Sequence, residues 1–199
     1  EAPGKDEEEA RLPFVGAAGH ELDRWMRSHF VRGQCFIGNL SQERPPDNKL
    51  ENWFIDSKNT IPNERLRGWI NELKGQLEDL RPHIVVALGR HPLYILTGKD
   101  GITKQWGSVL PCTLVPGLKV IALIHPAFLI RGMFELRPIV KVWMARAKHQ
   151  STFPDYRPPY RELVIDPPLE QVLHHLERLK GASQLAFDIE TVPGAKIHY

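Results

Sequence analysis

The chain has 199 residues, 42% of them hydrophobic, with a formal charge of +2, which allows one substantial core and a small second unit. No apolar run is long enough to span a bilayer and no basic-plus-apolar leader is present, so membrane insertion and secretion are not indicated and an intracellular protein is expected. The two cysteines, Cys35 and Cys112, are too few for a disulfide scaffold or a four-thiolate cluster, and both are expected to be free.

The first stretch, Glu1 to Trp25, is dense in punctuation: an Ala2-Pro3-Gly4 turn, acids from Asp6 to Glu9, and a Pro13-Phe14-Val15-Gly16 corner. Pro3 fixes φ and Gly4 permits positive φ, so the backbone can bend sharply and offer its N–H groups to a ligand. An ordinary strand-to-helix loop is the other reading, and the strand feeding such a turn is expected before Glu1. Leu22, Trp25, Met26 and Phe30 recur at helical spacing, which predicts a helix over Gly19 to Phe30. Gln34 to Leu40 reads as a short buried strand ending at polar Asn39. Ser41 to Asn63, with Arg44-Pro45-Pro46, is a long loop of the kind that binds something. A helix follows to Leu80, then a buried strand over His83 to Leu88, a helix over His91 to Thr97, and a β-like Ser108 to Leu114. Lys119 to Ile124 is a further buried strand delivered into His125-Pro126. Ala127 to Lys148 reads as helix, with a break expected near Pro138.

Continuous apolar strands alternating with helices predict an α/β fold, a three-layer α/β/α arrangement around a short parallel sheet. In such sheets ligands bind at the strands' carboxyl ends. Glu1 to Gly4, Asn39, Gly89 and His125-Pro126 are therefore expected on one rim. Arg131, Arg137, Lys141, Arg146 and Lys148 concentrate base in one segment, as a phosphate-tracking surface or a solvated helix face would. Residues 149–160 read as a Pro-rich linker between a domain over 1–148 and a partial second α/β unit over 161–199. That unit is expected to hold a strand at Glu162 to Ile165, a helix at Leu169 to Leu179 and a strand at Gln184 to Ile189.

Taken in order, Glu1-Ala2-Pro3-Gly4 with Glu7, Pro13-Phe14-Val15-Gly16, Asn39 followed by Arg44-Pro45-Pro46-Asp47-Asn48, and His125-Pro126 with Leu129 and Arg131 resemble the uracil-DNA glycosylase superfamily. The likeness is greatest to its family-four branch of iron–sulfur enzymes. The resemblance implies that Phe14 stacks on an extruded base, that the Asn39 amide reads the uracil edge, and that His125 sits near uracil O2. It also implies that Ala2, Pro3 and Gly4 line the pocket and that Glu1 and Glu7 lie near the sugar and the attacking water. Phe128, Leu129 and Arg131 would belong to the loop that wedges into the duplex and holds phosphate. The implied partner is uracil-containing DNA, bound by a monomer.

The chain departs from that pattern where cluster cysteines are expected. Glu43 stands before Arg-Pro-Pro, and Gly68 or Trp69 occupies the next position, so no iron–sulfur cluster, no metal in this domain and no other cofactor are expected. Arg11 replaces the usual glycine before Leu12, and Ala2 cannot activate water. At the other end, Leu185-Ala186-Phe187-Asp188-Ile189-Glu190-Thr191 resembles the first motif of DEDD-type 3′–5′ exonucleases found ahead of DNA polymerase modules. Asp188 and Glu190 would there be metal ligands in a longer parent protein, while a half-buried strand with two acids is the alternative.

Overall fold

In the computed structural model, which describes residues 2–158 and 162–186, the sheet is built from β1 (Val85–Leu88), β2 (Val109–Pro111) and β3 (Lys119–Leu123). The order is β1-β3-β2, with β3 central and every one of its residues buried. Side chains alternate across a strand, and β3 shows what that achieves. Ile121 and Leu123 enter a cluster with Leu22, Trp25 and Met26 of α2 (Ala17–Met26) and Val140 and Met144 of α7 (Arg137–Gln150). Val120 and Ala122 enter another, with Leu77 of α3 (Glu64–Leu80) and Leu93 and Leu96 of α4 (Arg90–Thr97). Helices thus cover both faces, as the apolar runs require.

The helices end where their sequences dictate. The Asn63 side chain caps α3 by accepting the Leu66 N–H at 2.9 Å. Gly98, at φ 68°, closes α4 in the left-handed conformation that suits glycine.

The details depart from expectation in five places. β1 runs parallel to β3, with Val86 opposite Ile121, but β2 runs antiparallel to it. The reversal from Cys112 to Leu118, closed by a Cys112 N–H to Leu118 carbonyl bond of 2.9 Å, is too short for the crossover a parallel pair needs. The segment from Gln34 to Leu40 is not a ladder strand. A 3₁₀ turn covers Arg32–Gln34 and Cys35 is extended beyond it, but among the described residues nothing pairs with this segment or with the outer edge of β1. An apolar groove of about 600 Å³ lies here instead, walled by Met26, Ile37, Leu40, Val86 and Leu88. The α2 helix stops at Met26, where the His29 and Phe30 N–H groups both bond the Met26 carbonyl. The helix expected over Ala127 to Lys148 breaks at Gly132, whose φ is 117°, between α6 (Pro126–Ile130) and a 3₁₀ turn over Phe134–Leu136. Pro138 instead sits in the first turn of α7, where its missing N–H costs nothing. Two short helices, α1 (Lys5–Ala10) and α5 (Ile102–Gln105), were not expected from periodicity.

The chain divides into two units, Glu1–Pro158 and Pro159–Tyr199. The first extends past its last helix because buried Lys119 Nζ donates to the Phe153 carbonyl at 2.6 Å and lies 3.5 Å over the Phe153 ring. Much of the segment read as linker therefore belongs to this unit. In the second, α8 (Leu169–Leu179) is helical as expected, but Glu162 to Ile165 carries no strand. No strand reaches Ala186 either, and Asp188 and Glu190, like Glu1, lie outside the described residues.

Candidate active site

A cavity of about 600 Å³ opens at the carboxyl ends of β1 and β3, and Ala2, Gly4, Asn39, Gly89 and His125 all reach its wall. The segments expected to share a rim do share it. Gly4 contributes differently from the expectation, since its φ of −85° needs no glycine and its backbone is extended. Its N–H donates to Glu7 Oε2 at 2.9 Å, which holds the Glu7 carboxylate in the cavity wall at the start of α1, the helix end that favours negative charge.

Phe14 is the most constrained residue of the site. It is only 5% exposed, and its φ of 56° places a bulky side chain on left-handed backbone at a cost of about 1–3 kcal/mol. The surroundings hold it there. A Cβ on Gly19 of α2 would lie 1.8 Å from the Phe14 carbonyl oxygen, so only glycine allows the helix to approach this closely. Arg32 Nη2 donates to the Pro13 and Phe14 carbonyls at 2.9 and 3.1 Å. The ring is thereby set beside His125, with centroids 5.8 Å apart and planes inclined by 33°.

His125 caps α6, its Nδ1 accepting the Ala127 N–H at 3.2 Å. That bond puts the proton of the neutral ring on Nε2, making Nε2 a donor. Asn39 is half-buried at the end of the extended segment, and with Phe14 it walls both the cavity and the apolar groove behind it.

Other expected residues fall elsewhere. Leu129 is fully buried in the core beside Met144 and does not reach the cavity. It follows His125 on a helix of five residues whose inner face it occupies, whereas its neighbour Phe128 is 37% exposed and lines the cavity. Pro3 is not in the wall, whereas Arg131 is, with its Nε donating to the Ala127 carbonyl at 3.1 Å. The basic segment beyond it is largely committed to structure. Arg137 forks onto Glu21 at 3.1 and 3.0 Å, Arg146 donates to the Gly107 carbonyl at 3.0 Å, and Lys148 lies 5.5 Å over the Phe30 ring.

Sequence reasoning missed Glu51, His91, Thr103 and Trp106, which also line the cavity. Buried His91 packs its ring 5.3 Å from Phe54, and its Nε2 lies 4.0 Å from the Glu51 carboxylate. Trp106 had one usable signal, the glycine after it. Gly107 has φ 71° and packs directly against Trp143, whose ring lies 5.8 Å from that of Trp106.

The positions where an iron–sulfur cluster would find ligands are filled by another construction. Glu43 pairs with Arg65 of α3, whose guanidinium lies 5.5 Å from both Trp53 and Trp69. The two indoles meet edge to face at 5.4 Å. A carboxylate engaged by arginine and a packed indole offer no thiolate, so these residues do not fit the cluster. Among the described residues no group of three or more His, Cys, Asp or Glu is arranged to hold a metal ion.

Comparison with known proteins adds an independent line. The family model of the Uracil DNA glycosylase superfamily matches residues 1–146. A protein of Thermotoga maritima named type-4 uracil-DNA glycosylase is 34% identical over 152 residues, covering 74% of this chain and 73% of that protein. One of the same name from Archaeoglobus fulgidus is 31% identical over 176 residues, covering 78% and 79%. Another, from Sulfurisphaera tokodaii, is 33% identical over 188 residues, covering 94% of this chain and 67% of its own length.

Proposed function

The chain belongs to the uracil DNA glycosylase superfamily, and from that premise we propose that it hydrolyses the N-glycosidic bond of deoxyuridine in DNA, leaving an abasic site and free uracil. The observation that carries the reading is convergence. Phe14, Asn39 and His125, distant in sequence, line one cavity with Glu7 and Arg131.

In this reading the uridine leaves the duplex, at a cost of a few kcal/mol that stacking on Phe14 offsets. The Asn39 amide matches the donor and acceptor pattern of uracil at its 3 and 4 positions, which is opposite to that of cytosine. As the bond breaks, negative charge grows on uracil O2 and positive charge on the sugar. His125 Nε2–H donates to the first, a contribution of about 2.7–4 kcal/mol for a donor aimed at developing charge. Glu7 and Glu1 supply carboxylate for the second and for orienting water. Ala2 and Gly4 shape the pocket, Phe128 wedges the stack and Arg131 holds phosphate. No step passes through a metal.

A catalytically weak module that reads uracil for an attached polymerase is the second reading. Glu43 and Trp69 at the cluster positions favour it, as does the exonuclease-like Leu185 to Thr191 motif. An alkali-cleavage assay on a uracil-containing oligonucleotide separates the two. Strand scission with the wild-type chain, lost with His125→Ala, supports the enzyme. Tight uracil-selective binding without scission supports the module, an oligonucleotide left uncut under generous enzyme removes the enzyme, and equal binding of uracil-bearing and plain DNA removes the uracil-reading module.

A further inference from the structure

The Phe14 backbone is held by a group outside the cavity. Arg32 is absent from the cavity wall, yet its guanidinium ties three separate segments together. Nη2 donates to the neighbouring carbonyls of Pro13 and Phe14, and Nη1 pairs with Asp23 on α2. Left-handed backbone at Phe14 turns these two carbonyls toward one cation, and two carbonyl dipoles pointing the same way repel unless a donor bridges them. Asp23 anchors the donor from the other side. Arg32 also begins the 3₁₀ turn that leads into the extended segment ending at Asn39, so one side chain fixes the corner bearing the aromatic ring and the start of the segment bearing the amide.

We infer that Arg32 is a positioning residue for base recognition: through the Pro13 and Phe14 carbonyls it sets the Phe14 ring parallel enough to His125 to receive a pyrimidine, without touching substrate itself. The inference rests on the proposed role of Phe14 as the stacking surface. The planar fork suits the job, because it holds its donors in one fixed geometry, whereas a lysine ammonium carries three freely rotating donors on a flexible stem.

Two measurements test it. The first compares binding of an oligonucleotide carrying 2′-fluorodeoxyuridine, which resists cleavage, with one carrying a tetrahydrofuran abasic site at the same position. In Arg32→Ala, affinity for the base-bearing probe should fall about tenfold or more and affinity for the abasic probe less than about twofold, with Arg32→Lys recovering part of the loss. Unchanged binding of the base-bearing probe would overturn the inference. So would equal loss on both probes, which marks a role in folding alone.

The second reads the free protein by NMR. Cross-relaxation between the Phe14 and His125 ring protons should weaken in Arg32→Ala while methyl signals of Ile121 and Val140 stay in place. Persistence of the contact would overturn the inference. Where Arg32→Ala does not fold, Asp23→Asn, which leaves the carbonyl bonds and frees their anchor, is read in the same two ways. A wild-type chain that does not prefer the base-bearing probe counts against the glycosylase reading, and the ring contact still decides whether Arg32 holds Phe14.

Discussion

That Phe14, Asn39 and His125 line one cavity could be expected from the sequence because each sits in a short motif whose order along the chain is informative. Leu129 could not be placed the same way. A helix of five residues has too few positions for a periodicity to show which face turns inward, and the structure buries Leu129 beside α7. Arg32 was invisible for a different reason, since all its partners are backbone carbonyls and a carboxylate brought close only by the fold. Gly19 gives the sharpest prediction at this scale. Gly19→Ala would drive a methyl into the Phe14 carbonyl, so it should cost about 1–3 kcal/mol in chemical denaturation and reduce uracil excision more than the lost stability explains. Excision at the wild-type rate by the folded variant would show that the approach of α2 does not set the ring.

Among the elements, α3, α4 and β3 were legible because long periodic or wholly apolar runs leave few alternatives. The segment from Gln34 to Leu40 was misread because an apolar run signals burial and extension but does not supply a pairing neighbour. The antiparallel direction of β2 follows from a reversal whose length matters more than its composition. The α2–α7 contact adds a titratable tie that composition could not reveal. Glu21, 3% exposed, accepts from Trp25 Nε1 at 2.9 Å and from Arg137. Burial alone would raise its pKa, but the bonds from Arg137 and Trp25 and the charges of Arg137 and Arg24 outweigh that and hold the carboxyl below its ordinary value. A carboxyl depressed on folding adds stability above its unfolded pKa, about 4.3, and that contribution disappears as pH falls through the lower folded value. Thermal melts should therefore show a loss of stability on acidification below about pH 4 that Glu21→Gln flattens, while at neutral pH the variant melts lower by about 1–3 kcal/mol of stability. An unaltered pH slope in Glu21→Gln would mean that other carboxyls carry the transition.

At the scale of the whole molecule, sequence and structure agree on an α/β unit with a cavity at one end of the sheet and on a helix in the unit that follows it. The boundary between the units escaped composition because Pro and aromatic residues suggest a linker, whereas Lys119 holds Phe153 through both its carbonyl and its ring. Phe14 and Asn39 wall the cavity and also the apolar groove behind it, so packing in the groove should bear on selectivity. Ile37→Ala, in the groove wall and two residues from Asn39, should lower the preference for uracil-bearing over plain DNA. Leu93→Ala, fully buried against the opposite face of the sheet, should cost about 2–5 kcal/mol of stability and leave that preference intact below its melting temperature. Equal effects of the two on preference would detach recognition from the groove. The face proposed to meet a nucleobase is in this way the back of a hydrophobic recess, a partition that the two hollows share. On that proposal, a small hydrocarbon lodged behind the partition should change which bases are accepted without ever entering the chamber proposed to read them.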